Sequence, residues 1–330
     1  MRIALVGAGQ IGRLHGALVA AEADVEDVLI ADVDPDRMAE TAAAIGGRVA
    51  ESVEWALDHA DAAIIAASTE AHGRLVMAAI ERGLPTFCEK PLAFDLAETV
   101  ELVHQVEARG AVVQVGFQRR FDPAYREARR LVESGELGTV YLVRLIAHDH
   151  APPPEAYIPR SGGLFRDSSI HDFDALRWVT GQEVDEVYAT GSVLGFPVFE
   201  RYADVDTGAA ILTLADGTLG VLSQTRHDPL GYDTRMEIVG SRDVVAVGLG
   251  QRTPLRSLEP DAPALTGPAW QTFFSRFESA YRDELTTFLR VVRGDVASPC
   301  TARDALQAMR IAVAAGRSHA EHRPIRLVDL

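Results

Sequence analysis

The fold is decided by a stretch near the start of the chain, Arg2-Ile3-Ala4-Leu5-Val6-Gly7-Ala8-Gly9-Gln10-Ile11-Gly12. Its apolar run predicts a buried strand, and the three glycines that follow have the spacing GxGxxG before a helical segment. Such glycines permit a tight turn and a close approach of the backbone to a pyrophosphate, whose charge the helix N-terminus stabilises. The stretch therefore predicts a dinucleotide-binding loop formed by Gly7, Gly9, Gln10, Ile11 and Gly12.

Short apolar runs and helical segments continue to alternate up to about residue 120. Strands are predicted at 2–7, 28–32, 48–50, 62–67, 85–88 and 112–115. Helices are predicted at 11–22, 35–46, 52–58, 71–82 and 95–109. Apolar runs without alternation suit a parallel sheet that is covered on both faces. Residues 1–120 are therefore expected to form an α/β Rossmann domain with a doubly wound parallel sheet.

The pattern changes in residues 121–330, where strands with alternating polarity predict a largely antiparallel open sheet in an α+β domain. Strands are expected at 138–148, 184–195, 204–214, 218–226, 232–240 and 243–249. Helices are expected at 122–134, 168–180, 273–293 and 301–316. The sequence Ala215-Asp216-Gly217-Thr218 predicts a hairpin turn between two of these strands. We expect this domain to bind the substrate and to mediate oligomerisation.

Composition excludes several classes of protein. The 32 basic and 48 acidic residues give a net charge of −16, which argues against binding of nucleic acid or an anionic membrane. No apolar run approaches the roughly 20 residues of a membrane span, and the start of the chain does not resemble a signal peptide. We therefore expect a cytoplasmic protein. The two cysteines, Cys88 and Cys300, lack the spacing of a disulfide framework or a zinc site.

The chain contains a single lysine, Lys90, among its 32 basic residues. Arginine can carry a surface charge, but its pKa is too high for proton chemistry, whereas the amine of a lysine can be tuned. Lys90 is therefore a candidate for a position that requires an amine. It lies in Glu89-Lys90-Pro91, directly after a predicted strand, where doubly wound sheets bind their ligands.

Asp32 ends the second predicted strand, 20 residues after Gly12. An acid at this place accepts hydrogen bonds from the adenosine ribose and repels a 2′-phosphate, which favours NAD over NADP. Arg37 is close enough in sequence to weaken that preference. The alternative interpretation is that Asp32 only begins a turn.

Asp167 and His171 are four residues apart, so they would share one face of a helix. A histidine beside a carboxylate can act as a general base. The alternative is a structural pair, with Asp167 capping a helix and His171 buried.

Together these motifs resemble the Gfo/Idh/MocA oxidoreductases, and most closely their inositol 2-dehydrogenase branch. The resemblance rests on the glycine loop followed by His15, on Glu89-Lys90-Pro91 and on Asp167-x-x-x-His171. Segments typical of the branch are 114–122, 151–154, 161–163 and 170–174. The resemblance covers the whole chain in order.

The resemblance implies an oxidation of a secondary alcohol with NAD. Lys90 would polarise the reacting oxygen, His171 would take the hydroxyl proton, and Asp167 would orient His171. It also implies a set of nucleotide contacts, namely Ser68, Thr69, His72 and Glu89. The implied contacts to a small polyol or sugar substrate are Gln118, Arg119, His150, Tyr157, Tyr232 and Tyr281, together with the three catalytic residues.

Several alternatives stay open at this point. Gln118 often corresponds to a methionine in the branch, and His148-Asp149-His150 is unusually rich in histidine, so a sugar or glycoside is an alternative to inositol. A metal site built from His148, His150, Asp167 and His171 would make the protein a hydrolase or lyase. A nucleotide sensor without turnover is the third alternative. No metal is expected, whereas a homodimer or homotetramer is, because an open sheet tends to pair with another subunit.

Overall fold

The computed structural model describes residues 1–261 and 267–330, which form two compact units. The first unit comprises Met1–Gln118 and Ser279–Gln307. The second unit comprises Arg119–Glu278 and Ala308–Leu330.

The first unit is built on a six-stranded parallel sheet. Its strands are β1 (Arg2–Val6), β2 (Asp27–Ala31), β3 (Arg48–Val49), β4 (Ala62–Ile65), β5 (Thr86–Glu89) and β6 (Val113–Gly116). The strand order is β3-β2-β1-β4-β5-β6, and every neighbouring pair is parallel. The intervening helices are α1 (Gln10–Ala20), α2 (Pro35–Ile45), α3 (Val53–Asp58), α4 (Thr69–Ile80) and α5 (Leu96–Arg109). The predicted doubly wound sheet is confirmed.

The strand order reverses beside β1, which places a ligand crevice at one edge of the sheet. The chain runs from β1 outward to β3 and then returns to β4 on the other side of β1. The loops after β1 and β4 therefore diverge at the carboxyl edge, which is where ligands bind in open α/β sheets.

The core of the first unit also receives a helix from much later in the chain, α11 (Glu278–Val292). Leu285 and Phe288 of this helix pack in one buried cluster with Ile3, Leu5 and Phe87. Residues 279–307, which the sequence-based division assigns to the second domain, thus belong to the first unit.

The second unit is built on a seven-stranded sheet with one parallel pair. Its strands are β7 (Val140–His148), β8 (Val184–Ser192), β9 (Thr207–Leu214), β10 (Leu219–Thr225), β11 (Asp233–Gly240), β12 (Val244–Val247) and β13 (Ile325–Arg326). The order is β12-β11-β7-β10-β9-β8-β13, and only β7 and β10 are parallel. The other α-helices of the described residues are α6 (Pro123–Glu133), α7 (Ile158–Ser161), α8 (Leu164–Asp167), α9 (Ile170–Thr180), α10 (Phe273–Arg276) and α12 (Ala302–Glu321). The predicted, largely antiparallel sheet and its hairpin before β10 are confirmed.

The two faces of this second sheet differ in burial. Leu212 and Leu222 point to the covered face and are fully buried, and Leu176 of α9 packs closely on Gly220 there. On the opposite face, Ile211 lies in register between Tyr188 and Val221. Ile211 is 52% exposed, and both of its neighbours are exposed as well. An apolar strip therefore runs across the open face.

Within the described residues, no helix is both long enough and apolar enough to cross a membrane.

Candidate active site

Two glycines of the loop after β1 are required by the packing of the protein itself. Gly7 has a φ of +103°, and a Cβ there would lie 2.5 Å from the backbone of Ala66 at the end of β4. A Cβ at Gly12 would overlap the carbonyl oxygen of Gly7. These two glycines thus let the loop, α1 and the end of β4 approach one another closely.

Gly9 is different, because no protein contact requires it to be glycine. Its backbone is extended, with φ −68° and ψ −171°, a conformation that any residue adopts. A Cβ there would meet no atom within 4 Å. Gly9 is the N-cap of α1, and no side chain of the described residues caps this helix end. Open space above uncapped backbone N–H groups fits the pyrophosphate of a dinucleotide.

Asp32 joins the glycine loop to the turn after β2. One carboxylate oxygen accepts the Ala8 N–H at 2.6 Å, and the other accepts the Asp34 N–H at 2.9 Å. A carboxylate has about four acceptor positions, so Asp32 can still accept hydrogen bonds from ribose hydroxyls.

The groove beside Asp32 carries more acidic than basic side chains. It is lined by Ala8, Gly9, Gln10, Arg13, Asp34, Asp36, Arg37 and Glu40. Both arginines already have acidic partners: Arg13 lies 3.4 Å from Glu40, and Arg37 lies 3.1 Å from Asp34. The excess of negative charge disfavours the binding of a 2′-phosphate. Arg37 was expected to weaken the preference for NAD, but its ion pair with Asp34 counteracts that effect.

Replacing Asp32 with alanine is expected to lower the ratio of NAD to NADP efficiency by about tenfold or more, because the ribose loses an acceptor worth about 1.5–3 kcal/mol. The measurement is kcat/KM for both cofactors, with Asp58→Ala, a partly exposed acid of the same unit, as the control. An unchanged ratio would contradict the assigned role.

Ser68, Thr69 and His72 follow β4, but they differ in their surroundings. Ser68 and Thr69 begin α4, and the Ser68 side chain makes no capping bond. The His72 ring is buried, with Nδ1 2.7 Å from the Pro91 carbonyl oxygen and Nε2 3.1 Å from that of Ala67. Burial lowers the pKa of His72, whereas its contacts with the Pro91 and Ala67 carbonyl oxygens oppose that shift. His72 thus ties down the loop that carries Lys90, whereas its direct contact with a nucleotide stays a prediction.

Glu89 and Lys90 end β5 at the same carboxyl edge of the sheet. Glu89 is 8% exposed, and its Oε1 lies 2.6 Å from Nε2 of the buried His15 on α1. The other oxygen of Glu89 accepts the backbone N–H of Lys90 at 3.1 Å. No role was predicted for His15 from the sequence. A signal was present, because His15 is three residues beyond Gly12 and so shares its buried helix face.

In the second unit, the side chains of Tyr157 and Arg226 hold Asp167. The Tyr157 hydroxyl donates to its Oδ1 at 2.8 Å, and Arg226 Nη1 lies 2.9 Å from its Oδ2. Burial opposes the charge of Arg226, but the carboxylates of Asp167 and Asp149 raise its pKa, so it remains a cation. Asp167 is therefore kept as an ionised acceptor.

This arrangement changes the interpretation of two residues. Tyr157, expected to contact a polyol, uses its hydroxyl as a donor to Asp167. Arg226 was not among the site residues predicted from the sequence. Its signal is a charged residue at an inward position of the strand pattern, where it is 3% exposed.

The helix predicted over 168–180 was wrong at its start. Asp167 ends α8, whereas His171 is the second residue of α9, which begins at Ile170. The Ser169 hydroxyl donates to Gln224 of β10, and this tertiary bond falls in the break between the two helices. Asp167 and His171 therefore belong to two successive helices and not to one continuous helix.

Arg119 and Arg120 hold the start of the second unit on α9 through two buried ion pairs. Arg119 Nη1 lies 2.5 Å from Asp172 Oδ1, and Arg120 Nη2 lies 2.5 Å from Asp174 Oδ1. Arg119 is 3% exposed. Both terminal nitrogens of Arg119 donate to Asp172, so its predicted contact with a polyol would have to be made by Nε or by the second hydrogens of Nη1 and Nη2.

The other predicted substrate contacts are distributed over both units. In the second unit, His150 Nδ1 lies 3.2 Å from the Asp228 carbonyl oxygen, and Tyr232 packs edge-on against Phe277. In the first unit, Gln118 is buried, and Tyr281 packs against the ring of His15 at 5.9 Å between centroids.

The acid and histidine cluster that the structure forms is not the one proposed for a metal. Among the described residues, the ligand atoms of His148, Asp228 and Asp233 lie within 4.8 Å of one another. Neither Asp167 nor His171 belongs to this group, and Asp233 forms an ion pair with Arg235 at 2.8 Å.

The parallel sheet and the glycine loop of the first unit form a Rossmann fold. Residues 1–117 match the model of an oxidoreductase family with an NAD-binding Rossmann fold, which gives the class of the protein. Residues 125–246 match the model of the GFO/IDH/MocA C-terminal domain. The chain therefore belongs to the Gfo/Idh/MocA family of NAD-dependent oxidoreductases.

Similar proteins include several inositol dehydrogenases. The chain is 41% identical to the myo-inositol dehydrogenase Hyg17 of Streptomyces leeuwenhoekii, over 96% of this chain and 97% of the relative. A myo-inositol dehydrogenase structure from Corynebacterium glutamicum is 32% identical, with a TM-score of 0.90 over 99% and 98% of the two chains. The scyllo-inositol dehydrogenase of Lactobacillus casei, with bound NAD(H) and scyllo-inositol, is 27% identical, with a TM-score of 0.89 over 99% of both chains.

Proposed function

We propose that this protein is an NAD-dependent inositol dehydrogenase, which oxidises one secondary alcohol of a cyclitol, with myo-inositol as the first candidate. The observation that carries the proposal is the 41% identity with a myo-inositol dehydrogenase along nearly the whole of both chains. The predicted catalytic residues Lys90, Asp167 and His171 are all present in this chain.

The residues of the first unit would bind the cofactor and polarise the substrate. NAD, when bound, supplies the acceptor for the hydride that leaves the alcohol carbon. The open space above Gly9 receives the pyrophosphate, and Asp32 accepts the ribose hydroxyls. The Lys90 ammonium stabilises negative charge as it develops on the substrate oxygen.

The second unit would supply the base. His171 takes the hydroxyl proton, because an alcohol gives up hydride readily only when its O–H proton is being removed. Asp167 orients His171, and Arg226 and Tyr157 hold Asp167 in its ionised form. We further propose that the second unit, residues 119–278 and 308–330, supplies most of the contacts to the cyclitol hydroxyls.

Initial rates with NAD and, separately, NADP test the proposal against myo-, scyllo- and chiro-inositol, glucose, galactose, xylose and a methyl glucoside. Turnover of an inositol with NAD is the expected result. Turnover of sugars alone would keep the roles of the residues but replace the substrate. Failure to bind either nucleotide would contradict the cofactor site itself.

We also propose that the protein is a homodimer or homotetramer that pairs through the open face of the second sheet. Ile211→Glu places a charge in the centre of the apolar strip and is expected to yield monomers by light scattering. Leu194→Glu, at a position 78% exposed and beyond the end of β8, is the control and should keep the wild-type mass. A monomeric wild type would contradict this assembly.

A cytoplasmic location stays a prediction that cell fractionation tests.

A further inference from the structure

We propose that His15 is a positioning residue for Lys90: its imidazole, carried by the cofactor helix α1, fixes the Glu89 carboxylate, which in turn fixes the backbone at Lys90. The inference rests on the proposed function, because Lys90 is taken to act on the substrate.

Two contacts at the carboxyl edge of the first sheet link the three residues His15, Glu89 and Lys90. His15 Nε2 lies 2.6 Å from Glu89 Oε1, a short distance that is typical of a hydrogen bond to a carboxylate. The opposite oxygen, Oε2, accepts the Lys90 N–H at 3.1 Å. With both of its oxygens engaged, the carboxylate is restricted in its side-chain torsions, and it transmits the position of α1 to Lys90.

The neighbouring strand leaves room for this carboxylate. A Cβ at Gly116 on β6 would lie 3.1 Å from both Cδ and Oε2 of Glu89. Gly116 does not need a positive φ, so the close approach of the Glu89 side chain, together with that of Phe87 Cζ at 3.1 Å, accounts for the glycine at this place. Residues of α1, of the end of β5 and of β6 therefore all favour the same position of the Glu89 carboxylate.

The surroundings of His15 indicate that its contact with Glu89 is the reason for a polar residue there. The ring has no exposed surface and packs against Phe87, with its centroid 5.2 Å away, and against Tyr281. Among the described residues, Nδ1 has no hydrogen-bond partner. An apolar side chain would avoid the cost of that unpaired buried nitrogen, so the donor to Glu89 is what the histidine contributes.

The contact links cofactor binding to catalysis. α1 begins at the glycine loop that receives the pyrophosphate, and His15 lies in its second turn. Loss of the imidazole would free the Glu89 side chain and allow Lys90 to shift, while the glycine loop and Asp32 remain intact. Since small misplacements of a catalytic group can lower rates by about 10²-fold, turnover should fall while NAD affinity is retained.

The test compares His15→Leu, which keeps the apolar packing, with His15→Gln, whose amide nitrogen occupies nearly the position of Nε2. We expect His15→Leu to lower kcat about 10²-fold with an NAD Kd within about threefold of wild type, and His15→Gln to recover most of the loss. Glu89→Gln and the double variant His15→Leu/Glu89→Gln complete a double-mutant cycle. The kcat of the double variant should be no lower than that of the slower single variant. His104→Leu, on the exposed face of α5, should behave as wild type.

A second measurement, NMR of labelled amines, needs no substrate. The chain has a single lysine, so its amines are those of Lys90 and the N-terminus. Reductive methylation with ¹³C-formaldehyde labels both, and the Lys90 signal is expected to move in His15→Leu while the N-terminal signal stays in place. An unchanged Lys90 signal, an unchanged kcat, or an NAD affinity that falls as far as kcat would each overturn the proposal. If His15→Leu fails to fold, Glu89→Gln decides by kcat and by the Lys90 signal, and an unchanged value of either would overturn the proposal. If wild type oxidises no substrate of the panel, the proposed function fails, whereas the NMR readout still tests the positioning of Lys90.

Discussion

Lys90→Ala is expected to lower kcat by about 10³-fold while the protein still binds NAD. Removing one donor that stabilises a developing oxyanion costs about 10²–10³-fold in turnover, and Lys90 would also help to place the substrate. The glycine loop and Asp32 lie after β1 and β2, not after β5, so the loss of the amine should leave the cofactor site intact.

The measurement pairs steady-state rates with NAD binding by calorimetry. Lys90→Met keeps the approximate length of the side chain without its charge. Its kcat should fall as far as that of Lys90→Ala, because the charge of Lys90, and not its bulk, stabilises the developing oxyanion. Lys90→Arg keeps a cation but changes its shape, so an intermediate rate is expected. Near-normal rates in Lys90→Ala would show that the whole assignment of the site is wrong.

His171→Ala is expected to lower kcat by about 10²–10⁴-fold at neutral pH, the range typical of a lost general base. Part of the rate should return as the pH rises, because hydroxide in solution can then remove the proton that His171 takes in the wild type. An increase of the rate with pH is specific to a lost base, since a variant that is merely unstable would not gain activity at alkaline pH.

The pH profile of kcat measures this recovery. His322→Asn, which replaces an exposed histidine of the same unit, is the control and should follow the wild-type profile. A flat profile at the reduced rate would remove His171 from the role of base and leave it as a binding residue.

Much of the first unit could be predicted because its signals are local. The strand expected at 62–67 is Ala62–Ile65, and the helix expected at 95–109 is Leu96–Arg109. Unbroken apolar runs and spaced glycines specify a covered parallel sheet before any tertiary contact is known. The fold class, the family and the cofactor were confirmed on this basis.

What could not be predicted depends on contacts between distant residues. His15 and Glu89 are 74 positions apart, and nothing near either residue indicates the other. Ser169 lies in a helix-compatible sequence, and only its bond to Gln224 marks the break that separates Asp167 from His171. The amphipathic helix α11 has a buried face, but its sequence does not say which core receives that face.

The return of residues 279–307 to the first unit restricts how this protein can be divided or recombined. A cofactor module that stopped at Gln118 would lack Leu285 and Phe288 and would leave the core around Ile3 and Leu5 partly uncovered. An autonomous module therefore requires a linker that joins residue 118 to residue 279. An exchange of substrate specificity by grafting would likewise have to transfer two pieces, residues 119–278 and the carboxyl-terminal tail, whose short strand β13 pairs with β8.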